Sequence, residues 1–319
     1  MDLSYLLLPV GFLAVVKGAD WLIEGSLFIA RKLRIPDLII GLTIVSMGTS
    51  LPEFAVNTIA SYRGNNGIAL GNIIGSNICN ILLILGVSSI IRPLKVQKNT
   101  VFKEIPFSLL AAMVVFILVN DVILDHSREM VLSRSDGLIL FTFFAVFISY
   151  IISLGKTSNL EVAENNTNIS LLKALFYLIS GILLLYFGGG WVVTGATSIA
   201  RFAGLDERVI GLTIVALGTS LPELVTSVMA TLKGNDDISI GNVVGSNIFN
   251  IFFVLSSSAL IRPIAVESIV SRDILVLIFA SILLIYFLLL SKKNILSRWA
   301  GIIFLVIYFG YMTFSIFNA

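Results

Sequence analysis

The stretch GLTIVSMGTSLPEFAVNTIA, residues 41–60, places a proline and a glutamate, Pro52 and Glu53, inside an apolar run. Proline in a helix interior removes a backbone donor and opens the preceding turn, and a carboxylate in an apolar segment is energetically costly. The same six letters, GTSLPE at 48–53, return at 218–223 inside GLTIVALGTSLPELVTSVMA. Because a costly pattern occurs twice, it indicates a functional element rather than an accident in one helix.

The composition around this stretch is that of a membrane protein. Of the 319 residues, 57% are hydrophobic and 13% are charged, whereas a soluble domain usually carries about a quarter charged residues. Apolar segments long enough to cross a bilayer as helices recur along the whole chain. They predict an all-α membrane protein with ten transmembrane helices near 3–30, 38–61, 67–91, 105–124, 136–154, 171–200, 208–231, 238–261, 272–290 and 299–317.

The two GTSLPE copies belong to an internal duplication. Residues 41–93 align with 211–263 without a gap at an offset of 170, and 28 of the 53 positions are identical. The polar stretch 155–170 divides the chain into a first repeat, 1–154, and a second repeat, 171–319. Five spans per repeat is an odd number, so the second repeat must enter the membrane inverted. Inverted repeats are typical of transporters whose site lies near the bilayer midplane.

The basic residues predict the orientation of the chain. With the N-terminus outside, thirteen lysines and arginines fall in loops on the inner side and seven fall on the outer side. The positive-inside rule then favours extracellular termini and a cytoplasmic linker at 155–170. We therefore expect a multi-pass protein of the cell membrane. The net charge of +2 gives no indication of a nucleic-acid partner.

Polar side chains at helical spacing form a stripe in each of four predicted helices. The stripes around the two prolines contain Ser46, Thr49, Ser50, Glu53 and Asn57, and then Thr219, Ser220, Glu223 and Ser227. The following helices carry GNIIGSNICN and GNVVGSNIFN, with Asn72, Ser76 and Asn80 in the first and Asn242, Ser246 and Asn250 in the second. Carboxylate, hydroxyl, amide and carbonyl oxygens suit hard cations such as Ca²⁺ and Na⁺. Zinc or copper would favour His or Cys, and the chain has one of each.

Other interpretations of the stripes are less specific. A lone proline is often a structural kink, and Ser, Thr and Asn often serve helix packing in membranes. Two glutamates at matched positions beside matched prolines favour a cation site over packing alone. An intramembrane hydrolase would need an HExxH motif, an aspartate dyad or a Ser–His pair, and the sequence contains none of these. We therefore expect no enzyme activity and no cofactor, with a purely structural membrane protein as the remaining alternative.

The paired motifs, GTSLPE with GNIIGSNICN and GTSLPE with GNVVGSNIFN, resemble those of the cation/calcium exchanger superfamily. The chain is most similar to prokaryotic sodium/calcium exchangers, and the resemblance covers nearly its whole length. It implies that Glu53 and Glu223 are direct ligands of both Ca²⁺ and Na⁺. It further implies ligand roles for the hydroxyls of Thr49, Ser50, Thr219, Ser220, Ser76 and Ser246, the backbone carbonyls of Ser46 and Ala216, and the side chains of Asn80 and Asn250.

Two departures from related exchangers refine this expectation. Potassium-dependent relatives carry aspartate at the position of Asn250, so asparagine here leaves two formal charges and disfavours K⁺ co-transport. Proton-coupled calcium exchangers carry glutamate at the positions of Gly75 and Gly245, which favours sodium as the coupling ion here. The predicted function is antiport of Na⁺ against Ca²⁺, with an H⁺/Ca²⁺ or other divalent-cation antiporter of the same fold as the alternative. The expected partners are Ca²⁺, Na⁺ and the lipid bilayer, without an obligatory protein partner.

Overall fold

The computed structural model describes residues 6–120, 130–157, 170–202 and 216–318, and these residues are almost entirely helical. In the first half the elements are α1 (Leu7–Leu33), α2 (Asp37–Ile40), α3 (Ser46–Thr49), α4 (Leu51–Arg63), α5 (Asn66–Ile78), α6 (Leu85–Ile91), β1 (Leu94–Lys95), α7 (Lys98–Phe102), α8 (Glu104–Leu118), β2 (Val131–Leu132) and α9 (Arg134–Thr157). In the second half they are α10 (Leu171–Phe202), α11 (Ala216–Thr219), α12 (Leu221–Leu232), α13 (Asp236–Phe249), α14 (Ser256–Ile261), β3 (Ile264–Ala265), α15 (Ser268–Leu290), β4 (Ile295–Leu296) and α16 (Arg298–Asn318).

The prediction of an all-helical, multi-pass membrane protein is confirmed. Within the described ranges, seven helices are long and apolar enough to span a membrane, or eight if the bent pair Asp37–Thr49 and Leu51–Arg63 is one span. The count of ten stays a prediction. The first predicted span is the long helix α1, which carries Lys17, Asp20 and Glu24. The seventh, 208–231, begins within 203–215, which lies outside the described residues.

Within the residues that the structure describes, three spans contain π-helical turns, at Gly41–Val45, Cys79–Ile84 and Asn250–Leu255. The first joins α2 to α3, the second joins α5 to α6, and the third joins α13 to α14. Such turns are rare and occur frequently at functional sites. Among the seven unbroken spans of the described residues, those built from α5–α6 and α13–α14 are the most enclosed, with 78% and 94% of their apolar stretches buried inside the protein. These two spans therefore form the centre of the molecule.

The GTSLPE stretch is a break between two helices. Helix α3 ends at Thr49 and α4 begins at Leu51, and the axes of the segments Asp37–Thr49 and Leu51–Arg63 differ by 47°. Pro52 lies in the first turn of α4, where a missing backbone N–H breaks no helical hydrogen bond. Glu53 lies in the same turn, where the positive end of the helix dipole stabilises a carboxylate. The proline and the glutamate are therefore compatible with one helix start.

Two short antiparallel strand pairs connect the halves of the chain. Strand β1 pairs with β4 through Leu94 and Leu296, and β2 pairs with β3 through Leu132 and Ile264. Strands β1 and β3 follow corresponding helices, because Leu94 and Ile264 are separated by the repeat offset of 170 residues. Each pair thus takes one strand from each half, and the two pairs occupy equivalent positions.

Helices α1 and α10 pack against each other through glycines in direct backbone contact. A Cβ atom added at Gly181 would lie 2.7 Å from the Leu22 nitrogen and 2.8 Å from the Gly18 carbonyl oxygen. A Cβ added at Gly18 would lie 2.9 Å from the Gly181 carbonyl oxygen. Small residues allow membrane helices to approach this closely. Helices α1 and α10 therefore form one tightly packed pair.

The substitution Gly181→Ala tests this packing. The added methyl group must separate α1 from α10, so we expect a loss of about 1–3 kcal/mol in stability. Gly190→Ala is the matched control on the same helix, because a Cβ there meets no described atom within 4 Å. Thermal unfolding in detergent should show a lower midpoint for Gly181→Ala and an unchanged or higher one for Gly190→Ala. Equal midpoints would contradict the backbone contact.

Candidate cation-binding site

The two glutamates of the GTSLPE copies are buried in the protein interior. Glu53 is 0% exposed and Glu223 is 1% exposed. Glu223 lies in the first turn of α12, as Glu53 does in α4, and each helix is preceded by a serine outside helical geometry, Ser220 and Ser50. Burial of an isolated carboxylate is costly unless it is hydrogen-bonded or bound to a cation. The contacts of each carboxylate therefore identify what stabilises it.

The Glu53 carboxylate is held by one serine from each half of the chain. Its Oε1 atom accepts hydrogen bonds from Ser76 Oγ at 3.3 Å and from Ser220 Oγ at 3.4 Å. Ser220 Oγ also lies 3.0 Å from Ser76 Oγ. A hydroxyl from the second GTSLPE copy thus supports the carboxylate of the first.

The Glu223 carboxylate is likewise held by one serine from each half of the chain, at the positions equivalent to the partners of Glu53. Its Oε1 atom accepts from Ser50 Oγ at 2.7 Å and from Ser246 Oγ at 3.4 Å. Ser50 Oγ also lies 3.0 Å from Ser246 Oγ. Every contact of Glu53 therefore has a twin displaced by the repeat offset, and the site has approximate twofold symmetry.

The sequence Ser50-Leu-Pro-Glu53 has the form of a helix capping box, in which the serine side chain bonds the backbone of its own helix. The structure uses it differently, because Ser50 makes no side-chain cap to α4. Its hydroxyl is turned across to Glu223. The motif thus supplies a hydrogen-bond donor to the opposite repeat instead of closing its own helix end.

The two threonines make a further pair of contacts between the halves. Thr49 Oγ1 donates to Asn242 Oδ1 at 3.0 Å, and Thr219 Oγ1 donates to Asn72 Oδ1 at 3.2 Å. Thr49 Oγ1 also donates to the carbonyl oxygen of Ser46 at 3.2 Å. The threonine hydroxyls thus lie beside the serines that hold the carboxylates, and they connect α3 to α13 and α11 to α5.

The predicted backbone ligands lie one turn before the helix breaks. The Ser46 carbonyl oxygen accepts a hydrogen bond from Ser246 Oγ at 3.4 Å, so it borders the Glu223 side of the site. Ala216 is the first residue of α11, at the corresponding place in the second copy. Among the described residues, no contact assigns its carbonyl to the site, so its ligand role stays a prediction.

Asn80 and Asn250 lie in the π-helical turns that follow α5 and α13. Asn80 Nδ2 donates to Asn247 Oδ1 at 2.9 Å, and Asn250 Nδ2 donates to Asn77 Oδ1 at 3.2 Å. Sequence reasoning did not select Asn77 and Asn247 as site residues. The available signal was their identity in both GSN segments.

Four buried oxygens at this site have no hydrogen-bond partner among the described residues: Glu53 Oε2, Glu223 Oε2, Asn80 Oδ1 and Asn250 Oδ1. Buried polar atoms are normally paired, and leaving one unpaired costs about 1–3 kcal/mol. All four are acceptors, so a cation is the kind of partner that each of them lacks. Two carboxylate and two amide oxygens form a ligand set of the kind that Ca²⁺ and Na⁺ accept. No cluster of three or more His, Cys, Asp or Glu residues is present in the described ranges.

A multi-pass membrane protein with an oxygen-lined site where two related halves meet has the architecture of a membrane transporter. The family model described as sodium/calcium exchanger protein matches residues 3–153 and 173–317, and the chain belongs to this family. The resemblance inferred from the GTSLPE and GSN motifs is thereby confirmed.

Several relatives match over most of their length. The chain is 37% identical over 293 residues to the inner membrane protein YrbG of Escherichia coli, covering 89% of this chain and 88% of YrbG. It is 29% identical over 345 residues to the sodium/calcium exchanger MaX1 of Methanosarcina acetivorans, covering 98% of each. A solved structure of the sodium-calcium exchanger NCX_Mj, soaked with Na⁺ and Ca²⁺, superposes with a TM-score of 0.83 at 34% identity and 98% coverage of both chains.

The crossed serine contacts generate a paired prediction. Ser220→Ala removes a donor to Glu53, and Ser50→Ala removes the equivalent donor to Glu223. We expect each variant to weaken Ca²⁺ binding by the purified protein about tenfold, since a hydrogen bond to a charged group is lost. Ser281→Ala is the control, because that buried hydroxyl bonds its own helix at Leu277.

Equilibrium binding of radioactive Ca²⁺ measures all three variants. The twofold arrangement predicts similar losses for Ser50→Ala and Ser220→Ala and none for Ser281→Ala. A loss confined to one serine, or shared equally by the control, would contradict the arrangement.

Proposed function

We propose that the protein is a secondary antiporter that exchanges Na⁺ for Ca²⁺ across the cell membrane by alternating access at one central site. The observation that carries this proposal is the set of four buried oxygens that lack a partner among the described residues, two from Glu53 and Glu223 and two from Asn80 and Asn250. The two ionised carboxylates carry two negative charges, which balance one Ca²⁺. The predicted serine ligands contact the two carboxylates, and the other predicted ligands belong to the same polar stripes of the sequence.

The shared carboxylates supply the coupling. In the proposed site, Glu53 and Glu223 bind Ca²⁺ with the hydroxyls of Thr49, Thr219 and the neighbouring serines, and the same carboxylates neutralise Na⁺ in the sodium-loaded state. Because two carboxylates cannot serve both cargoes at once, Na⁺ entering the site favours release of Ca²⁺. One site that opens alternately to either side then transports the two ions in opposite directions.

We further propose ten transmembrane helices arranged as inverted repeats, 1–154 and 171–319, joined by a cytoplasmic linker at 155–170, with both termini extracellular. The crosswise strand pairs and the twin contacts around Glu53 and Glu223 support this arrangement. The close glycine packing of α1 against α10 supports movement of these two helices as one body relative to the site-bearing helices.

Sodium coupling is supported by the names of relatives and by Gly245 in the second GSN segment, whereas a Cβ atom at its twin Gly75 would meet no described atom within 4 Å. MaX1 and NCX_Mj are both described as sodium/calcium exchangers. At Gly245, even a Cβ atom would lie 2.6 Å from Ser46 Oγ and 2.7 Å from the Leu42 carbonyl oxygen. A glutamate there, as in the proton-coupled alternative, would require the neighbouring helix to move. The site therefore has its negative charge at Glu53 and Glu223 and no space for a further carboxylate at 245.

The test is Ca²⁺ uptake into proteoliposomes driven by an outward Na⁺ gradient at clamped pH. The unmodified protein should take up Ca²⁺ in proportion to the Na⁺ gradient. Glu53→Gln and Glu223→Gln should each lower uptake by at least about a hundredfold, because the site loses half its charge. Glu104→Gln is the control, since Glu104 is also a buried glutamate but bonds Tyr150 away from the site.

The outcomes separate the two antiporter functions. Ca²⁺ uptake that does not depend on the Na⁺ gradient but does depend on a pH gradient would favour the H⁺/Ca²⁺ antiporter and contradict sodium coupling. Full uptake by Glu53→Gln or Glu223→Gln would contradict the proposed site.

A further inference from the structure

Asn77 and Asn247 form a reciprocal contact between α5 and α13 at the centre of the protein. Both side chains are buried, at 0% and 1% exposure. Asn77 Nδ2 donates to the Asn247 carbonyl oxygen at 3.1 Å, and Asn247 Nδ2 donates to the Asn77 carbonyl oxygen at 3.4 Å. Each amide group is thereby fixed by the backbone of the opposite repeat.

This fixed orientation leaves both Oδ1 atoms available as acceptors, and each accepts from a predicted ligand. Asn77 Oδ1 accepts from Asn250 Nδ2 at 3.2 Å, and Asn247 Oδ1 accepts from Asn80 Nδ2 at 2.9 Å. A chain of two hydrogen bonds therefore runs from a backbone carbonyl, through one asparagine, to the NH₂ group of the next.

The orientation of Asn80 and Asn250 matters because an amide has two chemically different ends. The oxygen binds a cation, whereas the NH₂ group is a donor and repels one. Since Asn77 and Asn247 engage the two NH₂ groups, the oxygens Asn80 Oδ1 and Asn250 Oδ1 are left buried and without partners among the described residues. An aspartate at position 80 or 250 would not need a hydrogen bond to fix its orientation, because both terminal atoms of a carboxylate are oxygens.

We propose that Asn77 and Asn247 are positioning residues, which hold the amide groups of Asn250 and Asn80 with the oxygen directed to the cation. This inference rests on the proposed function, since it assigns the cause of ligand geometry at the same site. Asn77 and Asn247 themselves do not bind the ion, because their oxygen and NH₂ groups are engaged by the opposite helix. They set the cation affinity of a site in which two of the four unpartnered oxygens belong to neutral amides.

The same contacts also tie α5 to α13, so the test must separate positioning from packing. Asn77→Leu removes the acceptor for Asn250 at similar side-chain size. Without that acceptor, the Asn250 NH₂ group is no longer held away from the cation. We expect the apparent dissociation constant for Ca²⁺ to rise about tenfold, as for loss of one buried hydrogen bond that selects the binding orientation.

The decisive comparison repeats Asn77→Leu in an Asn250→Asp background. A carboxylate presents oxygen in either orientation, so Asn77→Leu should change Ca²⁺ affinity less than about threefold there.

Asn120→Leu is the matched control, because Asn120 is a buried asparagine that bonds Phe116 and Ser271 away from the site. Equilibrium Ca²⁺ binding and the thermal unfolding midpoint are measured for every variant. Asn77→Ser, a smaller change whose short side chain does not reach Asn250, replaces Asn77→Leu if the latter does not fold.

Each outcome decides the inference. A loss of Ca²⁺ affinity that occurs with the native Asn250 and disappears in the Asn250→Asp background supports positioning. An equal loss in both backgrounds, or unchanged affinity with the native Asn250, overturns positioning and leaves the proposed function intact. Failure of the unmodified protein to bind Ca²⁺ overturns the proposed function, and this inference with it.

Discussion

The burial of two carboxylates, Glu53 and Glu223, is the constraint on which the rest of the structure depends. Each carboxylate lies at the start of a helix, where the helix dipole stabilises negative charge, and each has one oxygen held by two serines. The other oxygen of each has no partner among the described residues. In each carboxylate, one oxygen is therefore satisfied by protein donors, and the other is the oxygen that we propose binds the cation.

The hydrogen bonds between the two repeats show that each copy of the GTSLPE motif depends on the other. Ser50 supports Glu223, and Ser220 supports Glu53, so neither GTSLPE copy can stabilise its own carboxylate fully. The same rule holds for the threonines and for the asparagines of the GSN segments. A single repeat would leave each carboxylate with only the serine of its own GSN segment as a donor, and would leave the amide without its acceptor. The two halves are consequently interdependent at the site, although they are separate units along the chain.

Much of the fold and the composition of the site could be predicted from sequence, because both depend on periodicity and repetition. Apolar runs predicted the helices, and matched motifs selected Glu53, Glu223 and their neighbours. The sequence did not predict the hydrogen bond from Ser50 to Glu223, because a capping-box pattern predicts a hydrogen bond from the serine to the backbone of its own helix. Nor did it indicate the π-helical turns at Asn80 and Asn250, which depend on tertiary packing. The roles of Asn77 and Asn247 became visible once both repeats were placed together.

The most direct test of this account is an anomalous-scattering crystal structure of the protein soaked with Sr²⁺ as a substitute for Ca²⁺. The account predicts one strong peak bound to Oε2 of Glu53 and Oε2 of Glu223, at distances slightly longer than the roughly 2.3–2.6 Å of Ca²⁺–oxygen contacts because Sr²⁺ is the larger ion. Oδ1 of Asn80 and Asn250 should face the same peak, with their Nδ2 atoms still bonded to Asn247 and Asn77. A divalent cation bound away from both carboxylates, or amide groups that present Nδ2 to the ion, would contradict it.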